Sequence, residues 1–326
     1  MSDARFPAAA LLRLPLNGLY PAGYRAAHGE EITAVFADAV EHADRRTALR
    51  EWAALAAHAL RLRTRLSSRD PGGRITAGAA PFLLAGGAAL ALVQLLTGLL
   101  TRSSVGTATA AVDAVQTVPW VLALLCVALR RQGAARALVL VALAARIGVA
   151  AVAQVHPAAG FARATELFGL WVVLAVLVLI APPDAVDTSR RGRSWTMASA
   201  VTIALPLSTV AVLWIGAWPE DYADVLFTPL TQAALDTSTA CPALVLALAY
   251  LVQLGNPDTD RLAAAGVALA VLPWTVMVAP PLYRSVPVDA HDLLRNGGVV
   301  LALLVAATAG GLLLRSRRRT RPDPTP

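Results

Sequence analysis

Lysine is absent from this chain of 326 residues; all 28 basic residues are arginine. That absence removes whole classes of chemistry. A Walker A loop needs its lysine to reach the phosphates, and a Schiff-base enzyme needs a lysine amine. A standard P-loop ATPase and a pyridoxal-phosphate enzyme are therefore excluded. Cysteine is nearly absent as well. Cys126 and Cys241 both lie in apolar runs, so no disulfide framework or zinc pattern exists, and both read as small buried hydrophobes. The five histidines are His28, His42, His58, His156 and His291. No two have metal-ligand spacing on one helix, and no His-Glu-x-x-His occurs. His291, beside Asp289 and Asp292, is the one candidate for metal binding or pH sensing. There is no Gly-x-Ser-x-Gly elbow and no nucleic-acid motif. The expectation is a chain with no enzymatic activity, no cofactor and no nucleic-acid partner.

Charge is scarce too. Charged residues make up 15% of the chain, against about 25% in soluble domains. What is present in their place is apolar: 57% hydrophobic residues and a mean hydropathy of +0.60. The excess is concentrated from residue 75 onward, in runs that exceed the ~17 residues needed to cross a bilayer. The runs predict spans at about 76–101, 112–129, 134–155, 163–181, 195–217, 236–254, 262–281 and 297–314.

Arginine sets the orientation. With eight spans and both termini inside, 23 arginines fall on the cytoplasmic side, four outside and one, Arg146, within a span. Adding or removing one span destroys that bias, and cytoplasmic loops are the ones that carry excess arginine. The expected fold is thus an all-α membrane protein of the plasma membrane, an eight-helix transmembrane bundle with cytoplasmic N and C termini. Residues 1–74 form a cytoplasmic prefix, 75–314 the transmembrane domain and 315–326 a basic tail.

The prefix reads as a short helical hairpin. Ile32, Val35, Phe36 and Ala39 recur at helical spacing, and Leu49, Trp52, Leu55, Ala56, Ala59 and Leu60 continue the pattern after a turn near His42–Arg46. A unit this small is marginal alone, which predicts that it leans on the membrane domain, a second copy (a homo-oligomer) or a cytoplasmic protein partner. Arg61, Arg63, Arg65, Arg69 and Arg74 follow, and Arg315, Arg317, Arg318 and Arg319 form the tail. Both clusters are expected at anionic lipid headgroups. Asp70-Pro71-Gly72-Gly73 reads as a turn and as the boundary between prefix and spans.

Residues 19–39, LYPAGYRAAHGEEITAVFADA, carry a resemblance. Leu19, Tyr20, Pro21, Tyr24, Arg25, His28, Gly29, Glu30 and Glu31 resemble the N-terminal prefix of many membrane proteins of high-GC Gram-positive bacteria. Similar prefixes precede ABC-type permease domains and uncharacterised integral membrane proteins, and they resemble small helical signalling modules of the HAAS type that accompany regulators. The resemblance covers about 50 residues. It implies a cytoplasmic helical prefix on a multi-pass membrane protein.

Within the spans the candidate polar site is Arg146, Glu166, Asp236, Thr237 and Ser238. A charge at mid-membrane costs ~2.5–3.5 kcal/mol on insertion scales, so Arg146 should face the bundle interior. Its partner is expected to be Glu166, one helix on, or the Asp236–Thr239 cluster. The alternatives are a structural pair or an arginine that snorkels to the headgroups. Asp113 and Asp236, near the outer interface, are expected to cap the starts of the second and sixth spans, Asp236 joining the site if it lies deeper. Pro206, Pro242 and Pro273 can break helices at a site or be ordinary membrane prolines. Ala302, Ala306 and Gly310 permit close packing. Trp120, Trp171, Trp195, Trp214, Trp218 and Trp274 read as interface anchors.

Two functional readings follow. One is a regulatory, sensor or scaffold protein whose prefix binds a cytoplasmic partner, with a dry bundle around a paired Arg146. The other is a permease-like transporter, or ABC permease component, for a small solute or lipid, with a polar cavity around Arg146.

Overall fold

The computed structural model describes residues 19–41, 43–100, 107–155, 168–216, 245–254, 260–271 and 305. Among the described residues every regular element is a helix. They are α1 (Ala22–Glu41), α2 (Arg45–Arg63), α3 (Pro71–Leu100), α4 (Thr107–Ala128), α5 (Gln132–Val155), α6 (Phe168–Ile180), α7 (Arg190–Gly216), α8 (Val245–Leu254) and α9 (Arg261–Leu269). The chain divides into two compact units, Met1–Arg74 and Ile75–Pro326.

In the first unit α1 packs on α2 through a small core. Phe36 and Ala48 are buried, with Leu19, Trp52 and Leu55 against them. Asp44 starts α2 as its N-cap, accepting from the Thr47 amide at 3.2 Å and satisfying one of the orphan donors of the first turn. Above α2 the chain reverses at Arg65, which adopts a left-handed φ of 55°. The Leu66 amide then donates back to the Arg61 carbonyl at 2.8 Å, a Schellman-type closure.

Of the expected turn at Asp70–Gly73, residues 71–73 are helical instead. Pro71 opens α3, and Gly72 and Gly73 lie in its first turn. Proline suits a first helical position because its missing N–H has no partner there anyway. Gly73 is required by a close approach: a Cβ there would lie 1.9 Å from the Ser67 carbonyl oxygen. The turn proper is Ser67–Asp70, where the Asp70 carboxylate accepts from the Ser67 hydroxyl at 2.6 Å.

Among the described residues three helices are long and apolar enough to cross a membrane: Pro71–Leu99, Ala110–Ala128 and Gln132–Val155. The 30 residues of α3 extend for about 45 Å at 1.5 Å per residue. Two shorter apolar helices, Phe168–Ile180 and Val245–Leu254, accompany them. The expected eighth span, 297–314, lies outside the described residues apart from Val305. Leu125, Leu129, Leu140, Val141 and Ile147 are large, apolar and exposed on α4, α5 and the turn between them. Such a surface suits lipid and is unusual for a soluble monomer. The core beneath holds Leu83 of α3, Ala123 of α4, Val139 of α5, Leu174 of α6, Ile203 of α7, Leu246 of α8 and Val267 of α9.

Two tryptophans expected at membrane interfaces are core residues. Trp120 and Trp171 are each 2% exposed, with ring centroids 5.5 Å apart. The reason is room made by glycine: a Cβ at Gly87 of α3 would sit 2.5 Å from the Trp120 ring. Glycine also sets the crossing of α3 with α9. A Cβ at Gly78 would lie 2.2 Å from the Ala263 carbonyl oxygen, and one at Gly266 would lie 2.1 Å from that of Ile75. Backbones meet there directly, as small residues allow between membrane helices. Prolines 81, 119 and 206 lie inside helices; Pro242 and Pro273 are outside the described residues.

Candidate functional site

α4 and α5 are antiparallel neighbours joined by the short turn Leu129–Arg131. Arg130 there takes a left-handed φ of 63°, and the Arg131 amide donates to the Cys126 carbonyl at 2.7 Å. This closure fixes which residues of the two helices share a level. Asp113 lies fifteen residues before the last residue of α4, and Arg146 fourteen after the first residue of α5. Each is therefore about 21–23 Å from the turn.

Arg146 is 5% exposed. Its guanidinium carbon lies 4.8 Å from the centroid of the Trp171 ring on α6, within cation–π reach. The carboxylate of Asp113 attracts it electrostatically. A buried guanidinium without such compensation would be expelled or would drag water with it. Here three helices supply the compensation: α4 the negative charge, α5 the positive charge, α6 the aromatic face.

The neighbourhood on α4 is polar and buried. Thr117 donates its hydroxyl to the Asp113 carbonyl at 2.6 Å. Gln116 is 1% exposed and donates through Nε2 to the Val112 carbonyl at 3.3 Å. Among the described residues its Oε1 and the Trp171 Nε1 are buried with no hydrogen-bond partner. One orphan is an acceptor and the other a donor. Leaving such groups unpaired costs ~1–3 kcal/mol each.

Of the residues expected to form the site, Arg146 is described and is 5% exposed. Glu166, Asp236, Thr237 and Ser238 lie outside the described residues. Asp113 is a different matter. It sits well inside α4, which begins at Thr107, so it is not the cap expected of it. Gln116, Thr117 and Trp171 complete the cluster and were not singled out by the sequence as polar partners of Arg146.

Among the described residues of this unit, two cavities have linings that are mostly apolar with a few polar groups. A cleft of about 360 Å³ is lined by Asp187, Arg191, Trp195, Gln253 and Asp260 among others. Its two carboxylates are already engaged: Asp187 accepts from the Ser189 amide at 2.9 Å, and Asp260 caps α9 at the Leu262 amide. A void of about 40 Å³ lies against Gln132, Arg136, Asp187 and Thr196. Arg136 donates to the Leu179 carbonyl, tying α5 to the end of α6. Arg146 lines neither space.

The prefix has a surface feature of its own. Tyr20, Tyr24, His28 and His58 form a ring cluster, Tyr20 stacking on Tyr24 at 5.5 Å and Tyr24 meeting His28 at 4.9 Å. Burial, with Tyr24 adding to it, holds the Tyr20 phenol above its usual range, and Arg61 opposes the effect. Beside this cluster runs a groove of about 280 Å³ with Ile32, Val35, Phe36, Ala39 and Leu55 in its wall and His28, Glu31 and Glu51 at its rim. The groove is thus apolar within and acidic at the edge. Among the described residues no group of His, Cys, Asp and Glu side chains could hold a metal ion. No family model, no curated protein and no solved structure matches the chain.

Proposed function

We propose that this is a non-transporting integral membrane protein of the plasma membrane, regulatory or scaffolding in role, whose cytoplasmic prefix binds a protein partner. In this reading the membrane domain is a bundle of eight spans with both termini in the cytoplasm, and the prefix is a helical hairpin related to those that accompany permeases and regulators. The single observation that carries it is the state of Arg146. A solute site needs a charge with unspent valence facing a polar cavity. The Arg146 charge is used inside the bundle, against Asp113 and the Trp171 face, at 5% exposure. The groove on the prefix supplies the binding surface instead.

The test is capture from native membranes by cross-linking, followed by mild-detergent purification and mass spectrometry. Wild type is compared with Val35→Glu, which places a charge on the groove wall at a residue 64% exposed. A cytoplasmic protein recovered with wild type and lost with Val35→Glu supports the reading. Recovery of an ATPase subunit in equal stoichiometry, or solute uptake by the purified chain in proteoliposomes, overturns it. Those last results would favour a permease-like transporter, for which the cleft at Asp187, Arg191 and Gln253 is the place to look.

A further inference from the structure

Two faces of α2, about 100° apart round the helix, differ in burial. Ala48, in the small core against α1, and Ala59 are buried, at 4% and 1% exposure. Leu49 and Leu60 each follow one of these alanines and so point about 100° away round the helix. They are 46% and 60% exposed. Ala53 and Ala56 lie between them at the i+4 and i+7 positions, so a single apolar stripe runs about 16 Å along α2. Arg46 and Arg50 border the stripe on one side and Arg63 on the other. The one carboxylate within α2, Glu51, lies on the far side, where it rims the groove.

We infer that this face of α2 is an anionic-lipid docking surface, with Leu49 and Leu60 entering the headgroup boundary and Arg46 and Arg50 meeting lipid phosphates. The occupant follows from charge and reach. A cationic border around exposed leucines complements an anionic, apolar-backed surface and repels a basic one. Low net hydrophobicity with arginine on the polar face is the composition of helices that lie in a membrane interface. Only residues 64–70 separate α2 from the first helix able to cross a bilayer. Arginine stems lie along apolar surface while their heads stay at the phosphates, and each basic residue gains from the anionic leaflet. The consequence for the prefix is a fixed presentation: the lipid side of α2 is occupied, and the groove against α1 stays open to a partner. The inference rests on the prefix being cytoplasmic, as proposed above, only for which leaflet it meets.

The experiment uses the full chain with Cys126→Ala and Cys241→Ala, carrying a nitroxide at Leu49→Cys, Leu60→Cys or, as a reference in the groove, Val35→Cys. The protein is reconstituted into vesicles of phosphatidylcholine alone or with one-third phosphatidylglycerol, and collisions with oxygen and with a water-soluble nickel chelate are measured. The expected result is that oxygen dominates at Leu49 and Leu60 in the anionic vesicles and nickel dominates in pure phosphatidylcholine or after Arg46→Gln with Arg50→Gln. Val35 stays nickel-accessible throughout. Nickel access at Leu49 and Leu60 in anionic vesicles overturns the inference. Equal shielding in both lipids and in detergent also overturns it, because a protein surface then covers the stripe. Reaction of the same cysteines with an impermeant thiol reagent from outside intact cells would instead place the prefix on the other side. That outcome removes the proposed function and leaves the depth measurement standing.

Discussion

The guanidinium of Arg146 lies 4.8 Å from the centre of the Trp171 ring, and both side chains are buried. One comes from α5 and the other from α6, so the contact joins two helices through a charge that the bilayer would otherwise reject.

Removing that charge should be costly in a specific way. Arg146→Ala removes the charge that attracts the half-buried Asp113 and the contact with the Trp171 ring, and should cost about 0.5–3 kcal/mol. Thermal denaturation in detergent, followed by size exclusion, should show the loss. The double variant Asp113→Asn, Arg146→Gln should fall short of the sum of the two singles by ~0.5–3 kcal/mol, as coupled neighbours do. Additive losses would mean that the two charges do not interact.

Gln116→Leu should raise stability by about 1 kcal/mol. It replaces an amide whose oxygen is buried without a partner by an apolar side chain of similar size, and removing such an orphan recovers its desolvation cost. A fall in the detergent melting temperature would show that Oε1 has a partner in the membrane.

Gly266→Ala and Gly87→Ala should differ in degree. The first places a methyl 2.1 Å from a backbone oxygen of α3, which has nowhere to go; the second places one 2.5 Å from a tryptophan ring, which can tilt. Overpacking costs ~1–3 kcal/mol, and Gly266→Ala should be the more damaging in the same melting assay.

Arg130→Gly should stabilise the α4–α5 turn. The residue holds a φ of 63°, a conformation that costs an L side chain ~1–2 kcal/mol and glycine nothing. Stability should rise by about 1 kcal/mol. An unchanged melting temperature would mean that the arginine regains as much through its own contacts.

The prefix should loosen in acid. Hydrogen bonds from Thr47, then the amide and charge of Arg46, hold the Asp44 carboxyl below the usual carboxylate range. A depressed carboxylate stabilises the fold above its unfolded pKa, and that contribution fades as pH falls through the folded value. Limited proteolysis near residue 44 should therefore accelerate below pH 4 in wild type and show no such onset in Asp44→Asn, which caps without titrating.

Much of the architecture is legible in the chain. The helical character and the first three apolar helices can be read from run length, because a bilayer demands long apolar runs whatever the tertiary fold. The burial of Arg146 follows from the same argument. Its partner does not follow from helix ends read by hydropathy. Thr107–Ala111 is helical without being strongly apolar, so Asp113 looked like the first residue of a span when it lies in the second turn of one. Counting outward from the turn at Arg130 instead would have found it, since Asp113 and Arg146 lie nearly the same number of residues from that point. Trp120 and Trp171 escaped a rule about positions near span ends because Gly87, distant in sequence, opens the space one of them fills. That information resides in packing and in no local pattern.

The turn at Leu129–Arg131 also makes the stretch from Asp113 to Arg146 a ruler. Substitution of its lipid-facing residues, such as Leu125 or Val141, leaves the two charges where they are. Inserting or deleting a single residue within α4 or α5 between them swings one charge by about 100° and shifts it ~1.5 Å along the axis. Among descendants of this gene, length between these two positions should therefore be preserved far more strictly than the identity of the residues that measure it.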